Sequence, residues 1–170
     1  MLDQILRQYD FNLAFAYQLV EDLSEAQMST KPFRGFENHP AFTLGHLVTG
    51  SAMMVEDLGG EMQLPAGWDE LFLRKGPGDP RLPNPDPSNY PGKSELLSEL
   101  SRQHRRVAES LLTKTDAQLH ETVRWRFGKF MPTLLDLTVF MCINHEAMHL
   151  GQLSAWRRAM NLPSALAALK

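Results

Sequence analysis

From Leu2 to Leu23 the apolar positions recur at helical spacing: Leu2, Ile5, Leu6, Tyr9, Leu13, Ala16, Val20 and Leu23 share one stripe. That pattern predicts an amphipathic helix with one buried face. Ser24 to Gly35, which contains Pro32, reads as a connector. A second helix is expected from Pro40 to Leu58, because proline suits the first helical position, where the missing N–H would be unpaired anyway. Asn38 or His39 would cap it, and Gly59-Gly60 would stop it. A third helix is predicted from Ser94, its cap, to Leu112, with Leu97, Leu100, His104, Val107, Ala108 and Leu111 facing inward. A short helical turn follows Thr115, then irregular sequence from His120 to Met131. The last helix is expected from Pro132 to Met160, ended by Asn161 and Pro163.

Between the second and third helices the pattern breaks. Pro77, Pro80, Pro83, Pro85, Pro87 and Pro91 crowd the stretch from Glu61 to Gly92, too densely for a helix or a central strand. Gly67 to Arg74 could form a short helix there, and Trp68, Leu71 and Phe72 would pack it down. No convincing strand pattern occurs anywhere. The expectation is one all-α domain over residues 1–170, a four-helix bundle with a Pro-rich insertion between helices 2 and 3.

Composition narrows the function. The 170 residues are 43% hydrophobic and 22% charged, the balance of a globular protein. A net charge of −3 argues against a nucleic-acid partner. The one basic and aromatic cluster, Arg124, Trp125, Arg126, Phe127 and Lys129, reads as a solvated loop. No run of about 18 apolar residues occurs, so no membrane span is expected. Cys142 is the only cysteine, which rules out an intrachain disulfide. Met1 to Asp10 shows no apolar signal core, and a cytoplasmic location is expected.

The chemistry lies on the last helix. On a wheel of about 100° per residue, Leu134, Thr138, Met141, His149, Gln152 and Trp156 fall within about 40° of His145. Two imidazoles one turn apart on a face expected to be buried need a reason, because each carries a polar nitrogen. Either each finds its own hydrogen bond, or both converge on a divalent metal ion; the pairing favours the metal. His145-Glu146-Ala147-Met148-His149 is also formally the HExxH pattern of zinc peptidases, with Glu146 as general base. Those enzymes take a third ligand from downstream, yet no Asp, Glu, His or Cys follows His149, and Gln152 stands where one extended pattern has Gly. A third ligand must therefore come from upstream. His46 is the candidate, on a stripe of the second helix with Phe42, Gly50 and Met53, and with Gly45 beside it.

Three neutral imidazoles would leave an open coordination position, as reactive sites do. Glu146 and Gln152 are then candidates for catalytic proton transfer or for support of the ligands. His104 is expected to be a core histidine, with a fourth ligand or a supporting donor as alternatives. His39 would lie near the rim, His120 in solvent, and Cys142 would be a small buried hydrophobe.

Three segments together resemble a known family: His39-Pro-Ala-Phe-Thr-Leu-Gly-His46, Gly67-Trp-Asp-Glu-Leu-Phe72, and His145-Glu-Ala-Met-His-Leu-Gly-Gln-Leu-Ser-Ala-Trp-Arg-Arg158. The chain is similar, over nearly its whole length, to the DinB-like superfamily of metalloenzymes. The resemblance implies a bundle of up-down-down-up connectivity. It also implies a three-His site at His46, His145 and His149 holding zinc, nickel or a similar ion, with iron or manganese as alternatives. A homodimer and a low-molecular-weight thiol or other small-molecule substrate are implied too. Characterised members include metal-dependent thiol-S-transferases and a mycothiol-dependent isomerase. The isomerase type uses a Glu among the ligands, whereas this chain has His at all three positions. A thiol-S-transferase-like reaction is therefore expected, with a non-catalytic metal-binding stress protein as the alternative and an HExxH peptidase as a weaker one.

Overall fold

In the computed structural model, the described residues are 1–74, 76, 79 and 81–169. Pro77 and Pro80 of the proline run lie outside them. The first helix, α1, spans Leu2–Val20 and stops short of Leu23. The reason is local: Ser24 begins a new helix, α2 (Glu25–Met28), through a capping box with Gln27. The second long helix, α3, is Pro40–Asp57 with proline at its start. It ends at Gly59, whose φ of 81° is the left-handed conformation of a helix stop. Within the insertion, α4 (Trp68–Phe72) is the short helix expected there.

The third long helix, α5 (Lys93–Leu112), starts at Lys93, so Ser94 is not its cap. Gly92 offers no side chain, and the free Lys93 N–H instead donates to Glu25 Oε2 at 3.0 Å. A cap supplied by a residue 68 positions away leaves no local mark in the sequence. Thr115 caps α6 (Asp116–Leu119) and Thr133 caps α7 (Leu134–Val139), each through a capping box.

The expected continuous last helix is interrupted. After α7 comes a π-helical turn, Phe140–His145, followed by α8 (Glu146–Ala159). The buried positions are Leu134, Leu137, Thr138, Cys142, Glu146, Leu150, Leu153, Trp156 and Arg157. Three successive four-residue steps would drift about 120° around a straight α-helix. The wider π turn takes up that drift. The buried stripe is consequently centred on Glu146, not on His145. His145 and His149 sit half-buried at its edge and Gln152 is exposed, a correction to the straight-helix wheel.

The long helices form an all-α bundle, and the described residues contain no strand, only an isolated bridge between Thr122 and Thr133. The α3 helix packs on α5 and on α8, and α1 packs on the same two from the opposite side. The two helices adjacent in sequence, α1 and α3, are thus diagonal partners. Parallel neighbours in an up-down-down-up bundle need a connection that travels a full helix length, about 27 Å for 18 residues. The long insertion between α3 and α5 provides it.

The core falls into two apolar clusters. One gathers Leu19, Leu44, Leu47, Phe72, Leu100, Leu153 and Trp156; the other gathers Ile5, Tyr9, Met54, Val107, Leu111, Leu137 and Cys142. His46 to Ser51 on α3 and His145 to His149 on the last helix occupy the waist between them.

Candidate metal centre

At that waist the structure brings His46, His145 and His149 together. One ring nitrogen from each lies within 4.8 Å of the others. Ring centroids are 4.6 Å apart for His145–His149, 4.7 Å for His46–His149 and 5.4 Å for His46–His145. Two glycines of α3 make the approach feasible. A Cβ on Gly50 would stand 3.1 Å from His145 Cε1, so the missing side chain leaves room for that ring. A Cβ on Gly45 would stand 2.3 Å from the Phe72 ring, so its absence lets the insertion lie against α3.

The insertion contributes a backbone group in return. His46 Nδ1 lies 3.1 Å from the Phe72 carbonyl, which can only accept. Nδ1 therefore carries the proton, and Nε2 keeps its lone pair. His149 Nδ1 lies 3.0 Å from Gln152 Oε1, which fixes the same tautomer. Such partners orient metal-binding imidazoles and raise their basicity. Gln152 Oε1 is itself held by Asn38 Nδ2 at 3.3 Å.

The rings are neutral. Burial lowers the His46 pKa, with the Arg74 charge adding to it. His145 is pushed down to about 3, by burial first and then by His149 and His46. His149 is pushed down to about 4, by burial first and then by His46. At neutral pH protons do not compete for the lone pairs, so the donor set suits a divalent metal ion of borderline softness.

These geometries coincide with a family. A model of the DinB superfamily matches residues 8–153. This chain belongs to the DinB superfamily. Two solved structures share its fold. One is a conserved protein of Enterococcus faecalis, 16% identical, with a TM-score of 0.69 over 94% of this chain and 96% of that one. The other is YfiT from Bacillus subtilis, 20% identical, with a TM-score of 0.63 over 95% and 89% of the two chains. YfiT is described as a probable metal-dependent hydrolase with an unusual four-helix bundle topology. A comparison with curated proteins finds no match.

The other predicted residues of this DinB-superfamily chain have distinct places. Glu146 is turned into the core, away from the three-His cluster. Its Oε1 accepts from His104 Nε2 at 2.7 Å, and burial raises its pKa. The general base of an HExxH peptidase would have to stand beside the metal. His104 is a core histidine, stacked on Tyr9 with centroids 3.7 Å apart, and its Nδ1 has no partner among the described residues. His39 is the cap of α3 and is fully buried, not at a rim. Its Nδ1 lies 3.3 Å from the Phe42 N–H and 3.1 Å from the Met28 carbonyl, of which one neutral ring can serve only one. Asn38, the other predicted cap, bonds Gln152 instead. His120 is exposed and Cys142 is buried with its thiol pKa raised by burial, so no thiolate nucleophile is at hand. Trp125 and Phe127, both partly buried, pack on Phe140 and on each other.

Two functional groups escaped the sequence reading. The Phe72 carbonyl is backbone and leaves no signal. Asn12 is different: it sits between Tyr9 and Ala16 on the buried stripe of α1, a polar residue among apolar ones. Its Nδ2 donates to the Cys142 carbonyl at 3.1 Å, inside the π turn that ends at His145. Its amide also helps to offset the rise that burial causes in the Glu146 pKa. A π turn disturbs the regular ladder of helical hydrogen bonds. Asn12 braces the turn from a neighbouring helix.

Proposed function

We propose that this chain is a metal-dependent enzyme in which His46, His145 and His149 hold one divalent transition-metal ion, zinc or nickel, for reaction with a small-molecule thiol or water. The single observation behind this reading is the convergence of three neutral imidazoles, two of them with Nδ1–H committed to an acceptor and Nε2 free. A bound ion of this kind acts as a Lewis acid and lowers the pKa of a coordinated water or thiol. Three ligands leave it at least one open position. The protein's own part is positional. Phe72 and Gln152 hold two rings in their tautomers, Gly50 admits the third, and the π turn braced by Asn12 sets its direction. Thiol-S-transfer and hydrolysis both fit such a centre; the description of YfiT supports hydrolysis and the family resemblance supports thiol transfer.

Elemental analysis of the purified protein should find close to one metal ion per chain. His149→Ala should lose it while keeping its helical content. A wild-type protein that is metal-free and takes up neither zinc nor nickel refutes the reading. Chelation separates a reactive centre from a structural one: a reactive site retains exchangeable ligands in the cobalt-substituted form, whereas a purely structural site shows none.

A further inference from the structure

The insertion carries a charge that the three-His cluster does not use. An open cavity of about 660 Å³ is bordered by Trp68, Leu71, Arg74, Arg81, Asn84 and Asn89, among others. Its two arginines differ. Arg81 is paired with Asp79, Nη2 to Oδ2 at 2.6 Å and Nε to both oxygens at 3.0 Å. Arg74 forms no ion pair among the described residues, although the charge of Asp79 reaches it. Its Nη1 reaches the carbonyls of Leu73 at 3.2 Å and Leu71 at 3.5 Å, which hold the group but do not neutralise it. Among the described residues Nε and Nη2 make no hydrogen bond. Glu70 also borders the cavity, but it is exposed to solvent and forms no ion pair with Arg74, which is half-buried.

Arg74 is also next to the cluster. Its guanidinium lies 4.4 Å over the Phe42 ring. The same ring stacks on His46 with centroids 5.9 Å apart and planes 7° from parallel. One aromatic ring, Phe42, therefore stands between the charge and a histidine of the cluster. A half-buried guanidinium with unused donors is costly to leave uncompensated, and its planar fork matches a carboxylate in two parallel N–H···O bonds.

We propose that Arg74 is an anion-recognition residue, and that the molecule handled at the three-His centre bears a carboxylate group. Arg74 and Arg81 share one carboxylate, Asp79, so one unit of positive charge remains between them; it matches one carboxylate and falls short of a phosphate dianion. The proposal rests on the metal reading for the reactive end of that molecule and on Arg74 alone for its acidic end. A simpler role for Arg74 is to hold the C-terminal carbonyls of α4; that role involves no ligand.

The test uses cobalt-substituted full-length protein and two probes of similar size, 3-mercaptopropionate and its neutral amide. Thiolate binding is read from the sulfur-to-cobalt charge-transfer band. The acid should bind wild-type protein about tenfold more tightly than the amide, the scale of a charge-assisted hydrogen-bonded pair. Arg74→Gln should bring the two affinities together with cobalt content unchanged, and Arg74→Lys should fall between. Equal affinities of acid and amide in cobalt-loaded wild type overturn the carboxylate proposal and leave the metal reading standing. No cobalt uptake at all removes the metal reading first. Inorganic phosphate that displaces the acid more strongly than propionate does would assign Arg74 to phosphate and overturn the proposal as stated. The comparison of acid with amide in wild type needs no variant, so it stands even where Arg74→Gln fails to fold.

Discussion

Alanine at Gly45 and alanine at Gly151 should move stability in opposite directions, although both glycines lie inside helices. In an exposed helix interior, Gly→Ala gains about 1 kcal/mol, because alanine loses less backbone freedom on folding. Gly151 is such a position: it is exposed, and a Cβ there meets nothing within 4 Å. At Gly45 the new Cβ would lie 2.3 to 2.4 Å from three atoms of the Phe72 ring. Ordinary contact begins near 3.4 Å, so the ring must retreat by about an ångström. That ring is fully buried, with Trp68 packed edge-on at 5.2 Å, so it can retreat only by displacing its neighbours. Overpacking of this kind costs about 1–3 kcal/mol, and here the upper end applies. After the helix gain is subtracted, Gly45→Ala should lose roughly 1–2 kcal/mol, a fall in Tm of roughly 2–8 °C for a chain of this size. Gly151→Ala should gain roughly 2–4 °C. Thermal unfolding of the metal-free proteins by circular dichroism reads both. Adding Phe72→Leu to Gly45→Ala should recover part of the loss, since it removes the clashing ring. A Gly45→Ala protein as stable as wild type would refute the packing argument. The same substitution should also weaken metal retention, because Phe72 carries both the displaced ring and the carbonyl that holds His46.

Three further outcomes are expected. Asn12→Leu removes the donor to the Cys142 carbonyl, at a cost of about 1–3 kcal/mol for a buried group left unpaired; amide hydrogen exchange over residues 140–146 should quicken, and unchanged protection there would count against the brace. Glu146→Gln should keep the full metal content, because the carboxylate faces His104 and not the cluster; loss of metal measured by elemental analysis would contradict that geometry. His39 is held down to about 4 by burial, below its ordinary 6.5, so between those values the unfolded chain binds more protons than the folded one. Stability from this group is therefore complete above pH 6.5 and declines as pH falls toward 4. His39→Asn keeps a capping oxygen and removes the titration, so its Tm–pH curve for metal-free protein should be flatter over that window; parallel curves would show that His39 contributes nothing to the slope.

Much of the fold was readable because it rests on local rules. Helical periodicity, Pro40 at a helix start, Gly59 at its stop and the Thr115 turn all depend on neighbours a few residues away. The pairing of His145 with His149 was readable for the same reason, since a one-turn spacing is itself local. His46 was legible for a different reason: no Asp, Glu, His or Cys follows His149, so a third ligand has to lie upstream. The helix ends that were misplaced, at Leu23 and Ser94, turn on competition between caps and on Glu25 reaching Lys93 from another helix.

The chain by itself determined an all-α bundle and three histidines on faces that could meet. Tertiary structure decided how those faces are aimed. A wheel assumes one constant turn, so it could not register the π turn at Phe140–His145, which moves Glu146 into the core and leaves the histidines at its edge. Nor could it register that Glu146 finds His104, that Asn12 braces the turn from α1, or that the Phe72 carbonyl settles the tautomer of His46. Each of these is a contact between residues far apart in sequence. Periodicity records which side of an element is apolar, while the partner of a buried polar group is known only once the elements have packed.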